Sequence, residues 1–280
     1  MTFRIGAHVS ISGGVEKAVE REKDESGTCG QIFAGSPRTW SVSEYSDEEG
    51  KGFMEAREEE DQHPYLIHST YLVNLATPKD DLFEKSLNCL QSELEAAETL
   101  GVEYLVFHPG AHTGSGRENG VERIAEGIDE LEIPDNVTLL LENTAGKGTT
   151  LGKSMGELRD MIDKAETPDR KIGVCIDTCH AHAAGYDLKS REGFNDFIQE
   201  VKEDIGLDRI KALHLNDSKD ERGSEKDNHA DIGHGNIGEK GFRNIVNSEE
   251  LKELPMILET PQEQRDSYRE NIEKIRELRK

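Results

Sequence analysis

The sequence predicts one α/β domain, residues 1–280, folded as a (β/α)₈ TIM barrel. Eight short segments rich in Val, Ile, Leu and Phe recur along the chain, each four to seven residues long. Longer charged segments, in which apolar residues recur at helical spacing, lie between them. Continuous apolar runs are typical of parallel strands that are buried on both faces, so this alternation indicates strands joined by helices. A doubly wound open sheet is the alternative architecture.

The elements follow in order along the chain. The predicted strands are residues 3–9, 30–34, 65–68, 102–108, 137–142, 171–177, 209–215 and 255–259. The predicted helices include residues 80–100, 154–165, 193–205 and 262–278. The helix over residues 80–100 shows the clearest pattern, because Phe83, Leu87, Leu90 and Leu94 share one face and Gly101 can terminate it.

The charge of the chain excludes some classes of protein. Acidic residues number 58 and basic residues 34, which gives a formal net charge of −24. Such a charge argues against nonspecific binding to nucleic acid or to anionic membranes, and the apolar segments argue against a disordered acidic chain. At about 1 M salt the Debye length falls to roughly 3 Å, which screens this self-repulsion. We therefore expect a halophilic protein that works in a cytosol of high salt.

Cysteine content and hydropathy predict a cytoplasmic location. The four cysteines are too few for a disulfide scaffold in a chain of 280 residues, and they form no C-x-x-C motif. The first six residues have no apolar signal-peptide core, and no apolar run approaches the roughly 18 residues of a membrane span. We expect a soluble protein that does not contact a membrane.

Side chains that can bind metal stand at the ends of six predicted strands, 34 to 45 residues apart. They are His68, His108, Glu142, Asp177, His214 and Glu259. The carboxyl ends of barrel strands converge on one face, where active sites lie. Six buried imidazoles and carboxylates at one depth would be costly to leave without partners, and a metal removes that cost. The alternative is that each residue is an ordinary polar strand end, which would require six unrelated residues to occupy corresponding positions by chance.

Three more residues extend this set. They are His180, three residues after Asp177, and the D-x-H pair Asp227 and His229, which we expect in the loop after the predicted strand 209–215. Nine ligands are too many for one tetrahedral zinc, but they suffice for two or three ions if a carboxylate bridges. Nitrogen and oxygen donors suit Zn²⁺, and Mn²⁺ suits a site in which carboxylates predominate. His8, at the end of the first predicted strand, either supports these ligands or is an ordinary buried polar residue. We expect Cys179 to be a small buried residue and not a nucleophile.

Motifs along nearly the whole chain resemble endonuclease IV, the zinc-dependent apurinic/apyrimidinic (AP) endonuclease family. They are GAHVS at 6–10, FHPG at 107–110, LENTAG at 141–146, GVCIDTCH at 173–180, LHLNDS at 213–218, GNIG at 235–238 and ILETP at 257–261. The resemblance implies a xylose-isomerase-like barrel that holds three zinc ions.

The resemblance also implies how the nine ligands divide among the ions. His68 and His108 would bind the first zinc, and Glu142 would bridge it to the second. Asp177, His214 and Glu259 would complete the second site. His180, Asp227 and His229 would hold the third. Glu142 and Glu259 would be the catalytic carboxylates, with Glu259 also orienting the nucleophile.

The implied reaction belongs to base excision repair. The family hydrolyses the phosphodiester bond 5′ to an abasic site in double-stranded DNA and leaves a 3′-hydroxyl and a 5′-deoxyribose phosphate. Arg38, Tyr71 and Leu72 would insert into the DNA at the lesion, as an apolar wedge and an arginine can. We expect Lys147, Lys153 and Lys219 to line the DNA groove, and we expect a monomer.

Two other functions stay open from the residues. A sugar isomerase or epimerase on a similar barrel would use Glu142, Asp177, His214 and Glu259 with a single metal. A lesion-binding or metal-buffering protein would bind abasic DNA or metal without cutting. The number of metal ions bound per chain separates the isomerase from the nuclease.

Overall fold

Eight parallel strands close a barrel in the computed structural model, which describes residues 3–261 and 267–280. They are β1 (Ile5–His8), β2 (Cys29–Ile32), β3 (Tyr65–His68), β4 (Tyr104–Phe107), β5 (Thr138–Glu142), β6 (Ile172–Asp177), β7 (Ile210–His214) and β10 (Met256–Leu258). Around the barrel the strands follow the order β1-β10-β7-β6-β5-β4-β3-β2. The predicted barrel is confirmed, and closure of β1 onto β10 excludes the open sheet.

Each strand lies within or close to its predicted apolar segment, and most strands are one to three residues shorter than that segment. β2 begins at Cys29, one residue before the predicted segment. His108 and Glu259 were expected to end their strands, but each lies one residue beyond the last paired residue. Pairing ends earlier because β4 and β10 are short, and both side chains still emerge at the carboxyl ends.

The helices alternate with the barrel strands. They are α1 (Lys17–Asp24), α2 (Asp47–Glu59), α3 (Asp80–Leu100), α4 (Arg117–Glu130), α5 (Met155–Lys164), α6 (Thr178–Ala184), α7 (Arg191–Glu200), α8 (Gly238–Val246) and α9 (Tyr268–Leu278). The predicted bounds of α3 are confirmed, and Gly101 ends it in the left-handed conformation with φ 62°. The predicted helix 193–205 is instead α7 followed by a π-helical turn, Val201–Ile205.

The last predicted helix, residues 262–278, falls partly outside the described residues. Within them α9 begins at Tyr268, where Ser267 forms a capping box with Glu270. Among the described residues, the helices are all too short or too polar to cross a membrane. The four cysteines are buried and free.

One ring of apolar side chains fills the inside of the barrel below its carboxyl end. The ring consists of Cys29, Leu66, Val106, Leu140, Cys175, Ala212 and Ile257, all of them buried. Side chains two residues apart lie on the same face of a strand, so the residue two positions after each ring member also points into the barrel. This rule places one further layer of side chains at the carboxyl ends of the strands.

A two-stranded antiparallel ribbon follows β7. It pairs β8 (Asp217–Ser218) with β9 (His229–Ala230), and Ser218 lies opposite His229. The sequence predicts that Asp227 and His229 both lie in a loop, which is wrong for His229. The pairing brings His229 back to the carboxyl end of the barrel, where its Nδ1 donates to the Glu259 carbonyl.

Candidate metal centre

Eight polar side chains form one layer across the carboxyl end of the barrel, one from each strand or its last turn. The layer consists of His8, Gln31, His68, His108, Glu142, Asp177, His214 and Glu259. Seven of them stand two residues after the apolar ring described above. All six strand-end residues that the sequence singles out therefore meet in one place.

Glu142, at the end of β5, lies at the centre of this layer and is fully buried. Its Oε2 lies 3.2 Å from His68 Nε2 and 3.0 Å from His108 Nε2. Its Oε1 lies 3.0 Å from His214 Nδ1 and 3.3 Å from His180 Nδ1. The two oxygens thus face different pairs of histidines, which is the arrangement that a bridging carboxylate needs.

A second group forms around His214 at the end of β7. One donor atom from each of Glu142, Asp177, His214 and Glu259 lies within 4.8 Å of the others. Glu259 Oε2 lies 3.5 Å from His214 Nδ1. Asp177 also caps α6, since its Oδ1 accepts a hydrogen bond of 2.7 Å from the backbone N–H of His180. The start of α6 thereby fixes Asp177 and His180 relative to each other.

A third group forms between α6 and the β8–β9 ribbon. Asp227 Oδ1 lies 3.2 Å from His180 Nε2 and 3.0 Å from His229 Nε2. His229 Nε2 also lies 3.9 Å from Asp177 Oδ2 in the second group. Because β9 pairs with β8, the ribbon brings His229 over the barrel mouth, where the D-x-H spacing alone could not place it.

Backbone carbonyls orient three of the histidines. Nδ1 of His68 donates to the carbonyl of Ser69 at 2.7 Å, and Nδ1 of His180 donates to that of Asn143 at 2.8 Å. Nδ1 of His229 donates to the carbonyl of Glu259 at 3.1 Å. In each ring Nδ1 therefore carries a proton. Nε2 is thereby turned toward a carboxylate of the cluster, which is the orientation that metal-binding histidines require.

The spacing of these donors fits zinc. Zn–N and Zn–O distances of about 2.0–2.2 Å place two tetrahedral ligand atoms about 3.3–3.6 Å apart. The histidine–carboxylate separations given above run from 3.0 to 3.9 Å. Imidazole and carboxylate donors are also the ligand types that zinc takes in catalytic sites. The residues present therefore fit a cluster of zinc ions, with Glu142 shared between two groups.

The electrostatics of the cluster keep its carboxylates ionised. Burial raises the pKa of Glu142, but His214 and His108 outweigh burial and hold that pKa well below its usual range. Burial likewise raises the pKa of Asp227, and its hydrogen bonds to His180 and His229 lower it further than burial raises it. Burial lowers the pKa of His214, but the surrounding acidic groups raise it well above normal. The ionised carboxylates of the cluster therefore favour the binding of positive charge, either as protons on the histidines or as metal ions.

Three amide side chains hold the clustered residues in place, and none of the three is among the site residues predicted from the sequence. Asn216 Nδ2 donates to Asp177 Oδ2 at 2.6 Å, and its Oδ1 accepts from the backbone N–H of Glu259 at 2.9 Å. Asn143 Oδ1 accepts from the backbone N–H of Asp177 at 2.7 Å. Gln31 contacts His214 and Glu259. The two-residue spacing from Cys29 was the signal that could have found Gln31.

Cys179 is buried beside the third group. Its sulfur is within 4.8 Å of donor atoms of Asp177 and His229. Burial raises the pKa of Cys179 to about 12, so the protonated thiol persists at neutral pH. The prediction that Cys179 is a small buried residue is confirmed.

A cleft of about 780 Å³ opens beside the cluster. His108 and His180 form part of its floor, and Tyr71, Leu72 and Lys147 form part of its walls. Tyr71 is 64% exposed and Leu72 38% exposed, although both are large and apolar. Arg38 is also exposed. The three residues predicted to insert into DNA are thus accessible, and two of them border the cleft.

The basic residues expected along the groove differ in their surroundings. Lys147 lines the cleft as predicted. Lys153 forms an ion pair with Glu225, and Lys219 is exposed next to the β8–β9 ribbon. Lys226, which no motif in the sequence marks, lines the cleft and pairs with Asp220 at 2.9 Å.

Comparisons with known proteins agree with this geometry. Residues 25–278 match the family model described as xylose isomerase-like TIM barrel. The chain is 48% identical over 275 residues to "Probable endonuclease 4" of Natronomonas pharaonis, covering 98% of both chains. It is 46% identical over 277 residues to the protein of the same name from Halobacterium salinarum, covering 99% of this chain and 100% of that one.

Solved structures give the same result. The crystal structure of endonuclease IV from Thermus thermophilus superposes with a TM-score of 0.85 at 37% identity, covering 98% of this chain and 97% of that one. A D-tagatose 3-epimerase-like protein superposes with a TM-score of 0.74 at 20% identity, covering 98% of this chain and 96% of that one, which shows a shared fold alone. On its sequence relatives and on its fold, the chain belongs to the endonuclease IV family of xylose isomerase-like TIM barrels.

Proposed function

We propose that this protein is a zinc-dependent AP endonuclease of base excision repair. It hydrolyses the phosphodiester bond 5′ to an abasic site in double-stranded DNA and leaves a 3′-hydroxyl and a 5′-deoxyribose phosphate. The observation that carries this proposal is the position of the Glu142 carboxylate, whose two oxygens face different pairs of histidines. The endonuclease 4 names of its relatives support the same reaction class.

The nine ligands divide among three zinc ions in this proposal. His68 and His108 would hold the first, Asp177, His214 and Glu259 the second, and His180, Asp227 and His229 the third. Glu142 would be shared by the first and second sites. The second site is the richest in carboxylates and is the one at which Mn²⁺ could replace zinc. When bound, the zinc ions neutralise charge on the phosphate and acidify a water molecule at neutral pH.

The protein's own side chains hold these donors ready. Glu142 is fully buried and stays ionised because histidines surround it. Glu259 turns Oε2 toward the cluster while Oε1 is held from behind by His8 at 3.1 Å and Gln31 at 2.7 Å. A carboxylate held at one oxygen can present the other in a fixed direction, which is the positioning that Glu259 contributes.

The substrate is recognised at the cleft beside the cluster. Tyr71 and Leu72 present exposed apolar surface and Arg38 an exposed guanidinium, which can fill the stack where a nucleotide is flipped out. An abasic nucleotide resists extrusion least, since it has no base to unstack. Lys147 and Lys226 provide positive charge for the DNA backbone at the same cleft.

The net charge of −24 is the difficulty for a DNA-binding protein. Molar salt weakens phosphate contacts made by lysine and arginine. Insertion, stacking and direct contact between phosphate and metal then contribute a larger share of the affinity. The proposal includes a halophilic, cytoplasmic monomer in which residues 1–280 form a single domain.

The sugar isomerase is the second candidate, and its fold is shared. It needs a single metal at Glu142, Asp177, His214 and Glu259. His108 and His180 weigh against it, because their Nε2 atoms face Glu142 and Asp227 respectively, and a single-metal site has no use for either histidine. A protein that only binds lesions or buffers metal has no need of so complete a set of oriented donors.

The test is incision of a duplex that carries one abasic analogue, in molar KCl, by untreated protein, chelated protein and protein resupplied with zinc. We expect one cut on the 5′ side, lost on chelation and restored by zinc, with close to three zinc ions per chain. Binding without cutting would indicate a lesion sensor. Folded protein that neither binds nor cuts, with one metal per chain, would indicate the isomerase.

A further inference from the structure

We propose that Gln31 is a positioning residue of the metal centre. Its side-chain amide joins His214 to Glu259 and fixes which nitrogen of His214 and which oxygen of Glu259 face the second metal site. This inference rests on the proposed function, because the second site is one of its three zinc sites. Gln31 is fully buried in β2, in register with His8 on β1 and Leu66 on β3. The other seven residues of the layer are histidines, aspartate or glutamates, whereas the amide of Gln31 neither titrates nor carries a charge.

Gln31 spans two ligands that come from different strands. Its Nε2 donates to Glu259 Oε1 at 2.7 Å, and its Oε1 lies 2.8 Å from His214 Nε2. Both contacts are buried or nearly so, which strengthens them relative to contacts in water. One amide therefore links the end of β7 to the residue after β10 from across the barrel.

The chemistry of the three groups dictates where the protons lie. An ionised carboxylate only accepts, so the NH₂ of Gln31 must face Glu259 and its carbonyl must face His214. A carbonyl also only accepts, so His214 must carry its proton on Nε2. Nδ1 of His214 is then the nitrogen that a metal can take, and it lies 3.0 Å from Glu142 Oε1 and 3.5 Å from Glu259 Oε2. Gln31 thus selects the tautomer that can bind a metal.

Gln31 also decides which oxygen of Glu259 faces the cluster. His8 Nδ1 lies 3.1 Å from Glu259 Oε1, the oxygen that Gln31 already holds. Oε2 remains for the metal side, where Asn216 Nδ2 lies 3.5 Å away. With Gln31 removed, Glu259 can rotate and His214 can adopt either tautomer, so the second site loses its preorganised form.

The test compares zinc affinity, without DNA, in full-length wild type, Gln31→Met and Gln62→Met. Methionine matches the length of glutamine and removes all three polar contacts of the Gln31 side chain, which include one of 3.0 Å between its Nε2 and His8 Nδ1. Gln62 is the matched control, since it is also buried and makes two hydrogen bonds, to the Val19 carbonyl and from the Tyr65 hydroxyl, away from the cluster. Chelator-stripped proteins are titrated with zinc in molar KCl against a competing chromophoric chelator.

We expect Gln31→Met to weaken one zinc site per chain by about 10–100-fold and to leave the others near wild type. Gln62→Met should keep every zinc affinity while unfolding at lower denaturant. Unchanged zinc binding in Gln31→Met would overturn the proposal. Equal weakening of zinc binding in Gln31→Met and Gln62→Met would also overturn it, because the loss would then come from a general effect on the fold.

A second measurement reads the tautomer of His214 in the zinc-loaded proteins, in which zinc binding leaves the ring neutral, by ¹⁵N NMR of labelled histidines with His214 assigned from His214→Gln. Wild type and Gln62→Met should show the proton on Nε2. Gln31→Met should show a mixture of tautomers. The same tautomer in all three proteins would overturn the proposal.

Failure of the proposed function can be told apart from failure of this inference. If wild type holds zinc but does not cut abasic DNA, the function is wrong and the effect of Gln31 on zinc affinity is still measured. If wild type cuts DNA and Gln31→Met binds zinc like wild type, the function stands and the role of Gln31 falls.

Discussion

The Thr70 hydroxyl donates a hydrogen bond of 2.7 Å to the backbone carbonyl of Pro37. The next residue, Tyr71, donates its backbone N–H to the same carbonyl at 3.3 Å. Arg38 directly follows Pro37, so the two loops proposed to insert into DNA are tied together at their bases. The backbone N–H of Thr70 is bound in turn by the buried Glu93 carboxylate of α3 at 3.0 Å. The proposed wedge is therefore one preorganised unit.

Thr70→Val removes the hydroxyl and keeps the shape of the side chain. We expect affinity for abasic duplex to fall about fivefold, which corresponds to the roughly 1 kcal/mol of one hydrogen bond. Zinc content should not change, since no ligand is touched. Fluorescence anisotropy with a labelled abasic duplex in molar KCl measures the affinity.

Thr99→Val is the matched control, because its hydroxyl donates to a backbone carbonyl within α3, far from the cleft. It should bind DNA like wild type. Equal DNA affinity in Thr70→Val and wild type would mean that the two loops act separately.

Glu142→Gln and Glu259→Gln should each reduce incision to the background of chelated protein, a loss of at least about 10³-fold. Glu142→Gln replaces one of the two oxygens that face the histidine pairs with an NH₂ group. Single-turnover cleavage of an abasic duplex measures the loss, and far-ultraviolet circular dichroism checks the fold.

Glu22→Gln is the control for these two variants. Glu22 is equally buried but lies on α1 and faces β1, where its Oε1 accepts from the backbone N–H of Ala7 at 2.9 Å. Burial raises its pKa well above the usual range, so glutamine imitates its neutral form. Glu22→Gln should cut like wild type, and retained cutting by Glu142→Gln would contradict the bridging role.

The barrel and the meeting of six strand-end side chains could be predicted because both follow from one periodic pattern. Each of those side chains follows an apolar run, and closure of the barrel makes the strand ends neighbours, as seen for His68 and Glu142. The position of His229 is harder to predict from the sequence, since it depends on the pairing of β9 with β8. Nothing in a two-residue strand distinguishes it from a loop before the chain folds.

The supporting amides could not be predicted from chemistry alone. Gln31, Asn143 and Asn216 are uncharged, and asparagine and glutamine are common in loops for other reasons. Their roles depend on contacts across the barrel, such as Asn216 with Asp177. Only the two-residue offset from the inner ring marks Gln31, and that ring is known once the strands are in register.

Glu93 should make stability depend on pH. Burial raises the pKa of Glu93 to about 7, although hydrogen bonds from the Ser69 side chain and the Thr70 backbone partly oppose this rise. Between its ordinary pKa near 4.5 and about 7, the unfolded chain releases this proton while the folded protein keeps it. The free energy of unfolding therefore falls as pH rises through this window, by up to about 3 kcal/mol in total.

Glu93→Gln removes this titrating group. Urea unfolding of chelated wild type and Glu93→Gln between pH 5 and pH 8 in molar KCl measures the difference. We expect wild type to lose stability relative to the variant as pH rises. Parallel stability curves for the two proteins would show that Glu93 does not titrate in this range.

Salt should stabilise the fold, because the chain carries a net charge of −24. The Debye length is about 10 Å at 0.1 M salt and roughly 3 Å at 1 M, so added KCl screens the repulsion between surface carboxylates. We expect the thermal unfolding midpoint of chelated protein to rise from 0.1 M to 2 M KCl. Replacing the exposed Glu44, Glu48 and Glu59 with glutamine should shrink that rise. An equal rise in both proteins would point to a general salting-out effect.

Asp217 organises the loop that supports the β8–β9 ribbon. Its fully buried carboxylate accepts backbone N–H bonds from Gly233 and Gly235 at 3.0 Å each, and from Ile237 at 3.0 Å. A side chain at Gly235 would collide with it, since an added Cβ would lie 2.4 Å from Asp217 Oδ1. The loop therefore wraps around the carboxylate of Asp217, one strand away from the ligand His229.

Asp217→Asn presents an NH₂ group to some of these backbone donors. We expect the free energy of unfolding to fall by about 2–3 kcal/mol, as for a lost hydrogen bond to a charged group that leaves buried N–H groups without an acceptor. Asp129→Asn is the control, because Asp129 also accepts two backbone N–H groups, from Glu166 and Thr167, but at the surface. It should cost less than about 1 kcal/mol. Because Ser218 pairs with His229, Asp217→Asn should also weaken one zinc site. If it loses stability while every zinc site keeps its affinity, the ribbon holds His229 without help from this loop.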